Sequence, residues 1–212
     1  STLQQEAFKA LNFSTSKTMR VAQQLYEGVD IKGAGTVGLI TYLRTDSVRV
    51  SDEAKNMAHD FISENYGDDF LREGPGKTSA ASRIQDAHEA IRPADLTRLP
   101  SNVKDSLTRE QFRLYQLIWR RFMASRMSNA KYETTTAKIQ AGEYIFSTAA
   151  SHRIFDGFML VYTDAEEEKE EKKSPVYSLE EGQVLEFDSF DEKQHFTQPP
   201  AHFTEASLVH TM

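Results

Sequence analysis

Residues 38–47 read Gly38-Leu39-Ile40-Thr41-Tyr42-Leu43-Arg44-Thr45-Asp46-Ser47. A β-branched, aromatic run leads into an arginine, and short hydroxyl and carboxylate side chains follow at once. Such a run favours extended backbone, where residues i and i+2 project to one face. Tyr42 and Arg44 would therefore address the same target. A phenol, with an ordinary pKa near 10, is a weak nucleophile at neutral pH. A guanidinium beside it stabilises phenolate character and grips a phosphate with two parallel N–H groups. The pairing suits attack on a phosphodiester. Taken alone it also fits an ordinary packing tyrosine beside a solvated arginine.

Working outward, residues 85–93 read Gln85-Asp86-Ala87-His88-Glu89-Ala90-Ile91-Arg92-Pro93. His88 carries an imidazole, a side chain that donates to phosphate oxygens when protonated. By itself it also reads as a surface histidine. Upstream, Ser1–Ala7 and Thr18–Gly28 read as two helices leading toward the tyrosine. Downstream stand Gln194-His195-Phe196-Thr197-Gln198-Pro199-Pro200 and Phe203–Val209.

Together these strings resemble the type IA DNA topoisomerases. The first is similar to their active-site motif G-x-I-T-Y-M/P-R-T-D-S, departing from it at Leu43. The second is similar to their Q-x-A-H-E-A-I-R-P block, where Ala94 replaces a common Ser or Thr after the proline. The resemblance spans nearly the whole chain and is weakest from about 163 to 193. The lead-in helices and the charged loop before Ser174-Pro175 are closer to bacterial topoisomerase I than to topoisomerase III.

The resemblance implies an α+β protein forming part of a four-domain toroid. Residues 1–130 would be a helix-rich, winged-helix (CAP-like) catalytic-tyrosine domain. Residues 131–212 would be part of a mainly antiparallel β arch, with an acidic loop near 163–174. Tyr42 would be the nucleophile, Arg44 would hold the scissile phosphate, and His88 would act at the same phosphate. Thr45, Asp46 and Ser47 would position the loop at the DNA, with Arg83 and Arg92 as further phosphate contacts. Mg²⁺ would belong to a toprim domain that this chain lacks. The partners would be single-stranded DNA and negatively supercoiled duplex, and the parent a monomeric, cytoplasmic, nucleoid-associated enzyme. The rival reading is a non-catalytic winged-helix module that binds duplex DNA.

Composition sets the outer limits. There are 212 residues and no cysteine, which excludes disulfides and thiolate metal sites. No apolar run approaches a membrane span. The chain opens on Ser1 and stops at Met212 inside what reads as a helix start, so it reads as a piece of a longer enzyme. The net charge of −7 is uneven: residues 1–130 carry 18 Lys/Arg against 16 Asp/Glu, the remainder 7 against 16. The run Glu166–Lys173 supplies much of that excess and reads as a solvated loop. The N-terminal part is the one able to face DNA, through local placement of its arginines.

Periodicity predicts helices over 2–11, from Ser14–Ser16 to Tyr26 with Gly28 as stop, from the cap Ser51 to Tyr66-Gly67, and over 108–127. The last carries Phe112, Tyr115, Leu117, Ile118, Trp119, Phe122 and Met123 as a core stripe, with Trp119 read as packing. Gly33-Ala34-Gly35 reads as a flexible connector, and Gly74–Ser79 as a loop without the full phosphate-loop spacing. A hairpin is expected over 134–150 around Gly142-Glu143, with further strands at Phe158–Tyr162 and Val184–Phe190.

Overall fold

Thr108 starts the helix around which the helical part is built. Its hydroxyl accepts from the Gln111 backbone at 3.3 Å, and the Gln111 side chain accepts from the Thr108 backbone at 3.0 Å. This reciprocal capping box satisfies two N–H groups that a helix start otherwise leaves unpaired. In the computed structural model, which describes residues 1–72, 88–162, 174–189 and 191–211, these residues form an α+β protein. Its elements divide into two compact units. One comprises Ser1–Ala130 with the described residues of Asp156–Glu168 and Phe203–Met212. The other comprises Lys131–Phe155 with those of Lys169–His202.

In the first unit, α1 (Thr2–Leu11) and α2 (Thr15–Glu27) are followed by a short antiparallel hairpin, β1 (Val29–Ile31) and β2 (Gly35–Val37). Gly33-Ala34-Gly35 is thus no loose connector. The Ala34 backbone donates to Ile31 at 2.9 Å and closes a tight turn. Then come α3 (Asp52–Tyr66), α4 (Pro100–Val103) and α5 (Arg109–Arg126). Ser51 caps α3 by accepting from Ala54 at 3.3 Å, and Asp52 and Glu53 in the first turn suit the positive end of the helix.

The apolar stripe of α5 buries Leu114, Tyr115, Leu117, Ile118, Trp119, Phe122 and Met123. They meet Val21, Ala22 and Leu25 of α2 and Ala54, Ala58 and Ile62 of α3 in one core. Each buried Val, Leu, Ile, Phe or Met among them contributes about 1.5–3 kcal/mol on full burial. Trp119 is a core residue: it is buried against Phe61, and its indole N–H points at the Leu96 carbonyl, 3.5 Å away. The Tyr115 hydroxyl donates to Arg98 at 2.7 Å, and burial pushes its pKa upward.

The second unit is a long antiparallel hairpin, β3 (Lys131–Ala141) and β4 (Tyr144–Phe155), turning at Gly142-Glu143. Its register pairs Ala141 with Tyr144 and Thr136 with Ala149. A short 3₁₀ turn, Pro175–Ser178, packs on it, with the Tyr177 ring edge-on to His152 at 5.1 Å.

Two expected strands do not form. Gly157–Leu160 is a 3₁₀ turn of the first unit. Gly157 has φ +52°, and a Cβ there would lie 2.5 Å from the Asn129 backbone. That close approach turns the chain, and the Phe158 backbone then donates to Ser128 at 2.8 Å. Residues 184–189 have no regular structure and are exposed. Their alternating composition suits a strand, but backbone polar groups stay in a strand only with a partner to bond, and none pairs there among the described residues. The chain ends its described course in α6 (Glu205–Thr211), whose Glu205 carboxylate accepts from the Thr15 backbone at 2.8 Å, at the start of α2.

Candidate active site

Gly38 fixes how the tyrosine segment leaves β2. A Cβ at Gly38 would lie 2.8 Å from the Tyr26 carbonyl oxygen, so only glycine lets the chain press against the end of α2. Leu39 then donates to the Leu25 carbonyl at 2.8 Å. Leu39, Ile40 and Leu43 are buried, while Tyr42 and Arg44 are exposed. Beyond β2 the segment belongs to no strand, yet its alternation of burial from Tyr42 to Arg44 is the one the sequence predicts. We expect Gly38→Ala to cost about 1–3 kcal/mol of stability, as overpacking does, read as a lower midpoint in chemical denaturation. The bulkier Gly38→Val should cost more.

The second sequence block lies alongside. Ile40 bridges Pro93 in antiparallel fashion. Thr41 donates to the Arg92 carbonyl at 2.9 Å, and Ala94 to Leu39 at 2.9 Å. The Thr41 hydroxyl donates to Ala90 at 2.9 Å and accepts from the Arg92 backbone at 3.0 Å. Farther along, Ala90 donates to the Arg49 carbonyl at 2.8 Å, and the Arg49 guanidinium donates to the His88 carbonyl at 3.3 Å. These hydrogen bonds hold residues 39–49 against residues 88–94.

This frame brings Tyr42 and His88 together, with ring centroids 6.5 Å apart. On its other side the Tyr42 ring meets Tyr26 edge-on at 5.5 Å. Tyr42 is 46% exposed, and its hydroxyl has no hydrogen-bond partner among the described residues. Arg44 is exposed, with no ion pair to a described residue. Thr45 accepts from the Ser47 backbone at 3.0 Å and Ser47 from the Arg49 backbone at 3.2 Å, which curls the loop, and Asp46 faces solvent. An accessible phenol, a neighbouring imidazole and an uncommitted guanidinium can together meet one phosphate.

Arg92 sits elsewhere in the arrangement. Its guanidinium donates to Glu89 at 2.7 and 3.1 Å and to the Pro93 carbonyl at 3.0 Å, well shielded from solvent. Arg83, the Gly74–Ser79 loop and the acidic run near 163–173 lie outside the described residues. Sequence reasoning missed Tyr26, Arg49 and Glu89. The one available signal was Tyr26, an aromatic in the last turn of a helix whose apolar stripe is already complete without it. On α5, Arg113 lies over the Phe13 ring and Arg121 over Tyr162, so those two are used in packing. Among the described residues no group of three or more His, Cys, Asp or Glu is placed to hold a metal ion. No described helix is long and apolar enough to cross a membrane.

A family model described as DNA topoisomerase matches residues 1–212, the whole chain. Full-length topoisomerase I from Thermotoga maritima, in a monoclinic crystal form, is similar in structure with a TM-score of 0.72 and 36% sequence identity. The chain belongs to the bacterial type IA DNA topoisomerases. The match covers 100% of this topoisomerase chain and 33% of the Thermotoga one, so the chain spans about a third of that relative's length.

Glu89 ties the site of this topoisomerase chain to its core. Burial works to raise the Glu89 pKa, but hydrogen bonds from Arg92 and Ser51 and the Arg92 charge outweigh it, leaving the carboxyl below its ordinary value. A depressed carboxyl contributes stability that is complete above the unfolded pKa, about 4.3, and is lost as pH falls through the lower folded value. Wild type should therefore lose more stability than Glu89→Gln between pH 6 and about pH 3. Denaturant unfolding at both pH values measures this, and equal losses would remove Glu89 from the account.

Proposed function

We propose that this chain carries the strand-cleaving site of a DNA topoisomerase, with Tyr42 as nucleophile. The observation that carries the reading is an exposed tyrosine hydroxyl, with no hydrogen-bond partner among the described residues, on a ring held between Tyr26 and His88 by a hydrogen-bonded frame. The Tyr42 oxygen attacks the phosphorus of a phosphodiester in single-stranded DNA and its proton leaves to solvent. The bond from phosphorus to the 3′-oxygen breaks, and that oxygen takes up a proton to become a 3′-hydroxyl. DNA remains joined to Tyr42 through a 5′-phosphotyrosyl bond. The new ester replaces the old one, so the reverse attack by the 3′-hydroxyl reseals the strand without ATP.

Arg44 stabilises charge on the non-bridging oxygens, where a fixed donor acts most strongly as the transition state forms. His88 donates to the same phosphate. Passage of a strand through the break between cleavage and resealing relaxes negative supercoils. The full-length polypeptide would act as a monomer in the cytoplasm at the nucleoid, with Mg²⁺ held by residues outside those described here.

The test uses the full-length polypeptide containing these residues, with single-stranded DNA labelled at one end or the other and a denaturing quench in the presence of Mg²⁺. Protein should become covalently linked to the new 5′ end at the break, leaving a free 3′-hydroxyl on the other fragment, and peptide mapping should place the link on Tyr42. DNA binding with no covalent product would favour a binding module. A link on any other residue would overturn the assignment of Tyr42.

A further inference from the structure

Four described arginines of the helical unit face a carboxylate. Arg20 faces Glu110 at 3.6 Å, Arg92 faces Glu89 at 2.7 Å, Arg98 faces Asp95 at 3.4 Å and Arg121 faces Glu6 at 3.8 Å. Arg72 and Arg126 depart from this pattern. The chain brings them together through a bridge between Leu71 and Met127, and the Arg72 backbone donates to the Arg126 carbonyl at 3.3 Å. Both side chains then converge on one residue. Arg72 Nη1 donates to the Ser125 carbonyl at 3.1 Å, and Arg126 Nε donates to the Ser125 hydroxyl at 3.2 Å. That hydroxyl is itself fixed by donating to the Phe122 carbonyl at 2.6 Å.

Each guanidinium has five N–H groups and spends one on Ser125, so most of both forks have no partner among the described residues. No carboxylate pairs with either among the described residues. Burial, and then the charge of Arg72, hold the Arg126 pKa below its ordinary value, as expected for two cations sharing a half-buried corner. Arg126 is the last residue of α5, and the negative end of a helix accounts for one cation there. It does not account for two. Convergent, pre-positioned guanidinium forks with no counter-charge among the described residues are the donor set that a phosphate takes.

We infer that Arg72 and Arg126 together bind a backbone phosphate of DNA other than the one Tyr42 attacks. The inference rests on the reading that this chain handles DNA, and it adds a grip distinct from the cleavage site, since the ring contacts of Tyr42 are with Tyr26 and His88 and involve neither arginine. Such a grip would hold the strand while the bond at Tyr42 is open.

The experiment uses the full-length polypeptide in a Tyr42→Phe background, so that binding stays reversible, and a fluorescein-labelled single-stranded oligonucleotide titrated over a range of KCl. Arg72→Gln and Arg126→Gln should each weaken binding about ten-fold at low salt, the size of one charged hydrogen bond. The slope of log affinity against log salt should become shallower by about 0.7, one phosphate on a single strand. Because both arginines hold one phosphate, the double variant should lose less than the product of the single losses. Arg109→Gln, exposed at the opposite end of α5, serves as the charge control and should change binding less than two-fold. Equal losses from all three single variants would overturn the site in favour of general charge, and unchanged affinity and slope would overturn it outright. Stabilisation by inorganic phosphate that vanishes in the double variant, with DNA affinity intact, would also overturn it by making the pair a free-anion site. If Arg126→Gln fails to melt cooperatively, exposed Arg72→Gln decides the matter. Wild-type adduct formation with no effect of the arginine variants sinks this site alone. Loss of binding in those variants without any adduct in wild type sinks the cleavage reading alone.

Discussion

Tyr42→Phe should abolish covalent capture of DNA, by more than about 10⁴-fold, while leaving the fold in place. Removing a nucleophile outright costs an enzyme about that much or more, because no other group supplies the bond. The substitution deletes one oxygen whose hydrogen-bonding capacity no described residue uses, so the ring can keep its contacts with Tyr26 and His88. Stability should therefore stay within about 0.5 kcal/mol of wild type, as for other surface changes. The measurements are a denaturing gel of the quenched reaction, a melting curve, and an affinity for single-stranded DNA. Loss of adduct with fold and binding retained isolates the chemistry. An adduct in the phenylalanine variant would move the nucleophile to another residue.

Arg44→Ala should slow adduct formation by about 10²–10³, the usual cost of removing one preorganised donor to a developing oxyanion. No stability should be lost, because Arg44 is exposed and pairs with no described residue. Arg44→Lys keeps the charge but not the two-pronged geometry, and it should recover only part of the rate. Rapid-quench measurement of adduct formation at saturating DNA separates this from weaker binding. Cleavage by Arg44→Ala at the wild-type rate would take Arg44 out of the chemistry.

Local signals in the chain were legible wherever a side chain acts on its own neighbourhood. Ser51 followed by Asp52 and Glu53 announces α3, and the apolar spacing from Leu114 to Met123 announces α5, because capping and amphipathicity are short-range effects. Tyr42 and Arg44 were legible as a pair for the same reason. The approach of His88 to Tyr42 was not derivable from spacing, since 46 positions separate them and the contact depends on the bonds made by Thr41 and Ala90. Tyr26 was hidden in a helix end, and nothing local says that Gly38 would bring it against Tyr42. Phe158–Tyr162 has strand-like residues, but the close approach of Gly157 to Asn129 overrides their preference. Arg92 stands among the phosphate contacts that the resemblance implies, and in the fold its guanidinium pairs with Glu89, three residues earlier.

The hydroxyl of Thr41 has a mechanical meaning once Tyr42 is joined to a strand of DNA. A covalently loaded tyrosine is an anchor, and any pull on the DNA enters the protein through the backbone on either side of it. On one side lies Leu43, wedged into the core. On the other lies Thr41, which is fastened to residues 90 and 92 by its amide and its hydroxyl together. Tension is thereby shared among several bonds one residue from the point of attachment, and it does not peel the segment back bond by bond from its end. On the proposed role of Tyr42 the arrangement would work as a cleat, letting the tyrosine hold a broken strand under load while the three residues around it stay in register for resealing.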